Sequence, residues 1–489
     1  MWNAVAALIV LGFGIGPSSE RSAAQMMMDR PAATDAIQQA VQSARDRSQK
    51  SGGAKSESKA AKSSEKPVQS AKRETTEPKR ETTEPKKKGA SPAQPGGRNP
   101  SGVPPASERR YQPDEVVVEV AASAGDAQIN ALVQRFRLVR LDTLNFQLGV
   151  VTLLRLRIPD RRTVPTVVRA LETDASVLFA QPNYLFALVE ESAAASAASV
   201  EQYELEKMRL SEAHRLARGG KIVVAVIDSG IDVSHPDLAG DIADTLDTIG
   251  TGVPVHKHGT AIAGGIAAHG RLTGVAPAAR ILAVRAFSGS ARPEDSIGTT
   301  FAIIKGMDWA VLRGARIINM SFAGPQDPGI TRGLAAAYAR GVVLVAAAGN
   351  KGAASPPLFP AADRHVIAVT STDRNNQLPD FANRGSHVAV AAPGVDLTLL
   401  APNDSLQKSS GTSFSASYVS GTVALMIERN PELTPEAVRK ALMASAQRLG
   451  SNPVDEQSGG GLIDVYQAIL TVAPSAASEQ TVVPAADRR

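Results

Sequence analysis

The run Val223-Val224-Ala225-Val226-Ile227, apolar at every position and stopped by Asp228, narrows the folds open to this chain more than any other feature. A strand with no polar face must lie inside a sheet covered on both sides, which is the condition of parallel sheets. Short β-branched runs recur at 281–284, 317–320, 342–347, 366–370 and 388–391, with helical stretches at 259–268, 299–313 and 331–340 between them. The alternation predicts an α/β domain over about 200–472, with helices covering both faces of a mostly parallel central sheet. Such sheets place their active sites at the carboxyl ends of strands, and Asp228 stands at one.

Residues 111–190 predict a smaller α/β unit. Strand composition at 115–120 and 151–158 and helical periodicity at 126–136 and 164–173 lead to a last strand at 177–180, ending at Gln181-Pro182-Asn183-Tyr184. This is the β-α-β-β-α-β order of a ferredoxin-like module. Residues 191–199, with Ser192-Ala193-Ala194-Ala195-Ser196-Ala197-Ala198, read as an accessible linker suited to cleavage. Between 25 and 110 the chain is rich in Lys, Ser, Glu, Ala and Pro, and Lys72-Arg73-Glu74-Thr75-Thr76-Glu77-Pro78 repeats as Lys79-Arg80-Glu81-Thr82-Thr83-Glu84-Pro85. So few large apolar side chains cannot offset the entropy of ordering, and disorder is expected there. The tail at 473–489 reads as flexible.

The net charge of +5 hides a division: 25–110 holds 18 Lys/Arg against 10 Asp/Glu, which leaves the folded part mildly acidic. That part gives no reason to expect nucleic acid. The basic stretch reads as a solvated spacer, with contact to an anionic surface as the sharper alternative. Cysteine is absent, which removes disulfides, thiol catalysis and cysteine metal sites together. The apolar run 2–16 is short for a membrane span and is followed by Ser22-Ala23-Ala24. Residues 1–24 therefore read as a signal peptide and the protein as secreted or periplasmic, although no Lys or Arg precedes the run.

Three residue types for nucleophilic catalysis occur at element edges, in the order Asp, His, Ser. Asp228 ends an apolar strand, His258 opens a helix of small residues 30 positions later, and Ser413 begins another helix 155 positions beyond that. A serine hydroxyl is a weak nucleophile at neutral pH and needs a base within hydrogen-bond reach. A histidine supplies the base, and a carboxylate on its second nitrogen fixes the tautomer and stabilises the imidazolium. At a helix N-terminus the Ser413 N–H would face a developing oxyanion. Each residue alone has a plainer reading: a turn at Asp228-Ser229-Gly230, a structural His258, an N-cap at Gly411-Thr412-Ser413. The conjunction favours chemistry.

With these segments, and with Gly274-Val275-Ala276-Pro277, Ala346–Asn350 and Gly411–Leu425, residues 200–472 resemble the subtilase family of serine endopeptidases. The resemblance implies a three-layer subtilisin-like domain with Asp228, His258 and Ser413 as the catalytic triad, and Asn350 with the Ser413 N–H as the oxyanion hole. It also implies that an extended polypeptide substrate pairs with Ser321-Phe322-Ala323-Gly324 on one side and Ala346-Ala347-Ala348 on the other. Neutral, small walls suit a small or apolar residue before the scissile bond. More weakly, 111–190 resembles the family's inhibitory propeptide, here its own partner in the cleft, with self-cleavage expected within 187–199.

Four departures from the family pattern stand out. Ala261 replaces a second His, Ala323 replaces a glycine of the substrate wall, and Phe414, Ser417 and Tyr418 replace commoner types after the nucleophile. The loop 269–273 is too short for the calcium site of well-known subtilisins, so no cofactor is expected and calcium is not carried over. His256 and His258 have no ligand set around them, which argues against zinc. Two other readings remain open at this stage: a catalytically impaired binding module, and a peptidase restricted to itself and one partner.

Overall fold

The computed structural model describes residues 101–190, 200–250, 256–289, 295–449 and 456–473. The expected signal peptide, residues 25–100 of the basic stretch, the linker 191–199 and the tail from 474 lie outside the described residues.

The first unit runs β1 (Tyr111–Ala121), α1 (Asp126–Arg135), β2 (Val139–Phe146), β3 (Val151–Arg157), α2 (Val164–Leu171) and β4 (Val177–Leu188), the order expected of a ferredoxin-like module. Its strands pair antiparallel in the order β4-β1-β3-β2. Alternation in β1 gives it two apolar faces: Val116, Val118 and Val120 pack on Ile129, Leu132, Val164, Val167 and Leu171 of the two helices. Val117 points the other way, into a cluster that continues through Phe146, Leu153 and Tyr184 into the larger domain.

One expectation is overturned. The last strand does not end at Gln181-Pro182-Asn183-Tyr184 but continues to Leu188. Sequence periodicity could not foresee this, because past Tyr184 the strand leaves its own sheet and finds partners in the other domain. The polar residues at the supposed break are used across the interface. Gln181 Oε1 accepts the Gly329 N–H at 2.8 Å, and Asn183 Oδ1 accepts the Phe301 N–H at 3.1 Å. Both donors lie in the first turns of helices, where backbone N–H groups lack partners of their own.

In the larger domain seven parallel strands lie in the order β13-β12-β11-β9-β5-β7-β6. They are β5 (Val223–Asp228), β6 (Ile242–Asp247), β7 (Arg280–Arg285), β9 (Ile317–Met320), β11 (Val343–Ala347), β12 (Val366–Thr372) and β13 (Val388–Pro393). β6 was not legible in the sequence because its alternation of half-buried and exposed residues marks an edge strand. Helices α3 (Lys257–Ala267) and α6 (Thr412–Arg429) cover one face, where Val224, Val226, Val343 and Val345 meet Ile262, Ile266, Val419 and Val423. Helices α4 (Thr300–Leu312) and α5 (Pro328–Ala339) cover the other, where Ala225, Ile227, Ile318 and Leu344 meet Ile303, Ile304, Met307 and Leu334. The first unit docks on that second helical layer.

Tyr418, the bulky departure on α6, is fully absorbed: it is 2% exposed and its hydroxyl donates to Glu204 Oε1 at 3.2 Å. Burial pushes the Glu204 carboxyl up from 4.5 to about 7, against smaller opposing hydrogen bonds. The unfolded chain gives up this proton near 4.5 and the native protein only near 7. The stability so gained is complete below about pH 4.5, falls as pH rises toward 7, and is lost above it. Glu204→Gln keeps the acceptor oxygen and removes the charge. It is expected to stabilise the protein at pH 8 by roughly 2–4 kcal/mol and to change little at pH 4, as read from thermal unfolding at the two pH values.

Candidate active site

Asp228 ends β5, with its backbone carbonyl held by the N–H groups of Ala286 (2.8 Å) and Phe287 (3.2 Å). Its carboxylate is 0% exposed and accepts the Ser229 N–H at 2.7 Å and the Ser229 hydroxyl at 3.0 Å. His258 Nδ1 lies 2.9 Å from each carboxylate oxygen, so the buried charge is fully partnered. His258 is itself 0% exposed and sits in the first turn of α3, where His256 Nδ1 accepts its N–H at 3.3 Å. The helix approaches so closely that a Cβ on Gly259 would fall 2.1 Å from the Gly230 carbonyl oxygen. A glycine is required there to hold the ring against Asp228.

Burial alone would pull the His258 pKa down; the charge and hydrogen bond of Asp228 outweigh it, and the pKa is raised. If the neutral ring serves as a base, activity is expected to fall as pH drops through a value above the ordinary 6.5 of the imidazole.

Ser413 lies in the first turn of α6, two residues after the N-cap Gly411, which has no side chain to block the approach. A Cβ at Gly411 would stand 3.1 Å from Asn350 Nδ2, 3.3 Å from Ser413 Oγ and 3.4 Å from Glu190 Cα, which brings these groups around one corner. Asn350 Oδ1 accepts both the N–H (3.1 Å) and the hydroxyl (2.9 Å) of Thr412, which orients the amide and leaves Nδ2 free. Ser413 Oγ and Asn350 Nδ2 are both buried with no hydrogen-bond partner among the described residues. Orphaned buried polar atoms are rare, and two beside the Gly411 position point to a reacting group that would engage them.

A second network ties this corner to one wall of the cleft. Asn319 Nδ2 donates to Ser321 Oγ (2.8 Å), Ser321 Oγ to the Ser413 carbonyl (3.1 Å), and Ser420 Oγ to Asn319 Oδ1 (2.9 Å). The cleft is occupied by the protein's own chain. Between β8 (Ile297–Thr299) and β10 (Phe322–Ala323), the end of β4 forms a middle antiparallel strand. Leu185, Phe186 and Ala187 pair with Thr299, Gly298 and Ile297, and Ala187 and Leu188 pair with Ala323 and Phe322. The Val189 N–H then donates to the Ser321 carbonyl at 3.1 Å. The methyl group of Ala323 does not prevent the ladder. Gly324 meets Phe186, whose ring would lie 2.3 Å from a Cβ there. Ala347 shares an apolar cluster with Val189, whereas Ala346 packs on the opposite face of the sheet; Ala348 is buried just past the strand.

Asp237 accepts the Leu272 N–H at 2.9 Å and lies 3.6 Å from Arg271 Nε, so its carboxylate is already committed. Among the described residues no group of three or more His, Cys, Asp or Glu side chains could hold a metal ion. Asn319 and Ser420 carry no signal in the sequence. Ser229, Thr412 and His256, each within two residues of a chosen residue, enter the sequence reading only as part of a turn, part of an N-cap and a rejected zinc ligand.

Comparison with known proteins is consistent with this geometry. The subtilase family model matches residues 219–461, and the fervidolysin N-terminal prodomain model matches 97–183. Subtilisin DY of Bacillus licheniformis is 34% identical over 264 residues, covering 51% of this chain and 92% of that protein. The minor extracellular protease Epr of Bacillus subtilis (strain 168) is 33% identical over 329 residues, covering 64% of this chain and 50% of that one. The chain therefore spans half the length of Epr. A crystal structure of fervidolysin from Fervidobacterium pennivorans superposes with a TM-score of 0.64 at 23% identity, covering 75% of this chain and 62% of that one, a likeness of fold.

Proposed function

The chain belongs to the subtilase family, and from that premise we propose that it is a serine endopeptidase made as a self-processed zymogen, with Asp228, His258 and Ser413 as its triad. Ser413 Oγ attacks the peptide carbonyl while His258 Nε2 takes its proton. Asp228 holds the ring by Nδ1, and Asn350 Nδ2 with the Ser413 N–H receives the oxyanion. The proton passes to the leaving amine, and water hydrolyses the acyl-enzyme by the reverse path.

The single observation that carries this reading is the end of β4, laid as a substrate strand between β8 and β10, with Glu190 just past its end at the corner that holds Ser413 Oγ and Asn350 Nδ2. Main-chain pairing of this kind gives affinity without demanding a particular side chain. The first unit adds Phe146, Leu153, Tyr184, Phe186 and Leu188 to the shared apolar cluster. At about 1.5–3 kcal/mol for each such side chain buried, it is held firmly enough to inhibit. Export is part of the proposal, supported by the apolar run 2–16 and by the extracellular relative Epr. No cofactor enters the mechanism, and the basic stretch of 25–110 is proposed as a spacer.

Incubation of purified full-length protein is expected to release the N-terminal unit and then to hydrolyse casein, with phenylmethylsulfonyl fluoride blocking the second event. A chain that stays whole and leaves casein intact would refute the proposal. Asn350→Ala is expected to lower kcat on a peptide substrate by about 10²–10³ with little change in KM, since the lost donor acts on the oxyanion. Steady-state kinetics on the processed enzyme read both parameters.

A further inference from the structure

Immediately past Val189, the Glu190 side chain turns into the protein and is 0% exposed. Its Oε1 lies 3.1 Å from Lys257 Nζ and accepts the Ser409 hydroxyl at 2.8 Å, while Oε2 is buried without a partner among the described residues. Lys257 precedes His258 on α3, and Ser409 ends β15 (Ser405–Ser409), so both belong to elements at the catalytic corner. A carboxylate is not buried against a lysine by accident of surface exposure. Removing it from water is costly unless a cation and a donor receive it.

Register fixes which bond lies at the corner. Ala187 pairs with Ala323, Leu188 with Phe322, and Val189 donates to Ser321. Glu190 Cα is then the atom 3.4 Å from the Gly411 position, beside Ser413 Oγ and Asn350 Nδ2. The Val189 carbonyl is also among the groups that raise the proton affinity of the His258 ring. These contacts put the peptide bond between Val189 and Glu190 at the corner that holds Ser413 Oγ and Asn350 Nδ2.

We propose that Lys257 and Ser409 form a subsite that selects an acidic residue after the scissile bond, and that this subsite directs self-cleavage to Val189–Glu190. The proposal rests on the peptidase reading above. In the step itself, Ser413 Oγ bonds to the Val189 carbonyl carbon and the Val189–Glu190 C–N bond breaks. His258 returns the serine proton to the Glu190 amine. Water then supplies hydroxide to the Val189 acyl group and a proton to Ser413.

The first new N-terminus formed during early processing of the full-length protein, read by mass spectrometry, is expected to be Glu190. Processed enzyme would then be given internally quenched peptides Phe-Ala-Leu-Val-X-Ser-Ala with X as Glu, Gln or Lys. The expected kcat/KM for Glu exceeds that for Gln about tenfold and that for Lys by more, as for a charge-assisted contact, and 0.5 M salt narrows the gap. Lys257→Glu should reverse the order of Glu and Lys. In the full-length protein, Glu190→Lys should slow processing while Glu190→Asp preserves it. Equal rates for the three peptides, or a first cut elsewhere, would overturn the subsite and leave the peptidase intact. If no peptide is cleaved, the peptidase reading itself fails. Should Lys257→Glu yield no processed enzyme, the peptide series on the parent decides alone.

Discussion

Full-length protein carrying Ser413→Ala is expected to accumulate as one uncleaved chain with its N-terminal unit still seated. Peptide hydrolysis should fall by about 10⁴-fold or more, because in the proposed mechanism the side chain supplies the atom that forms the acyl-enzyme. The substitution removes one buried oxygen that has no partner among the described residues, so folding should be unharmed. Intact mass and thermal unfolding would establish both points. A Ser413→Ala protein that still processes itself would remove Ser413 from the chemistry, whatever its surroundings.

The second large effect belongs to Asp228. Asp228→Asn keeps the shape of the carboxylate but replaces an acceptor with a group that can donate toward His258 Nδ1. The ring is then driven to the tautomer whose Nε2 carries hydrogen and cannot accept the serine proton. A loss of about 10⁴-fold in kcat is expected near neutral pH, with KM little altered. The pH profile adds an independent check. Asp228 is what holds the His258 pKa up against burial, so without it the acid limb of any residual activity should move to lower pH. Rates measured from pH 5 to 10 on the processed enzyme would show the shift. An Asp228→Asn enzyme with a near-parental rate would mean that the 2.9 Å contact with His258 is structural only.

Much of this was readable before any coordinates. Continuous apolar runs such as 223–227 demanded a doubly covered sheet, and the parallel order of seven strands followed the expected alternation. Asp228, His258 and Ser413 stand out because each puts a residue type of nucleophilic catalysis at the edge of an apolar or small-residue segment, whereas Asn350 follows only from the family resemblance. What the sequence withheld depends on pairing across long separations. β4 was cut short at Tyr184 since its last residues bond to β8 and β10, more than 100 residues away. Edge strand β6 lacks the apolar run that betrayed its neighbours. Asn319 and Ser420, which tie the Ser413 helix to β9 and Ser321, are buried polar residues whose partners lie 2 and 101 positions away. The hydrogen-bond partner of the bulky Tyr418, Glu204, lies 214 positions away.

The account stands most directly on the reactivity of one hydroxyl. Processed enzyme, with the β4 segment gone from the cleft, would be treated with a fluorophosphonate and digested for mass spectrometry. Deprotonation by His258 makes Ser413 the one serine expected to react quickly, giving a single stoichiometric adduct on the peptide that contains it, lost in Asp228→Asn. No adduct, or an adduct on another serine at equal rate, would contradict the assembly of Asp228, His258 and Ser413 into a working triad.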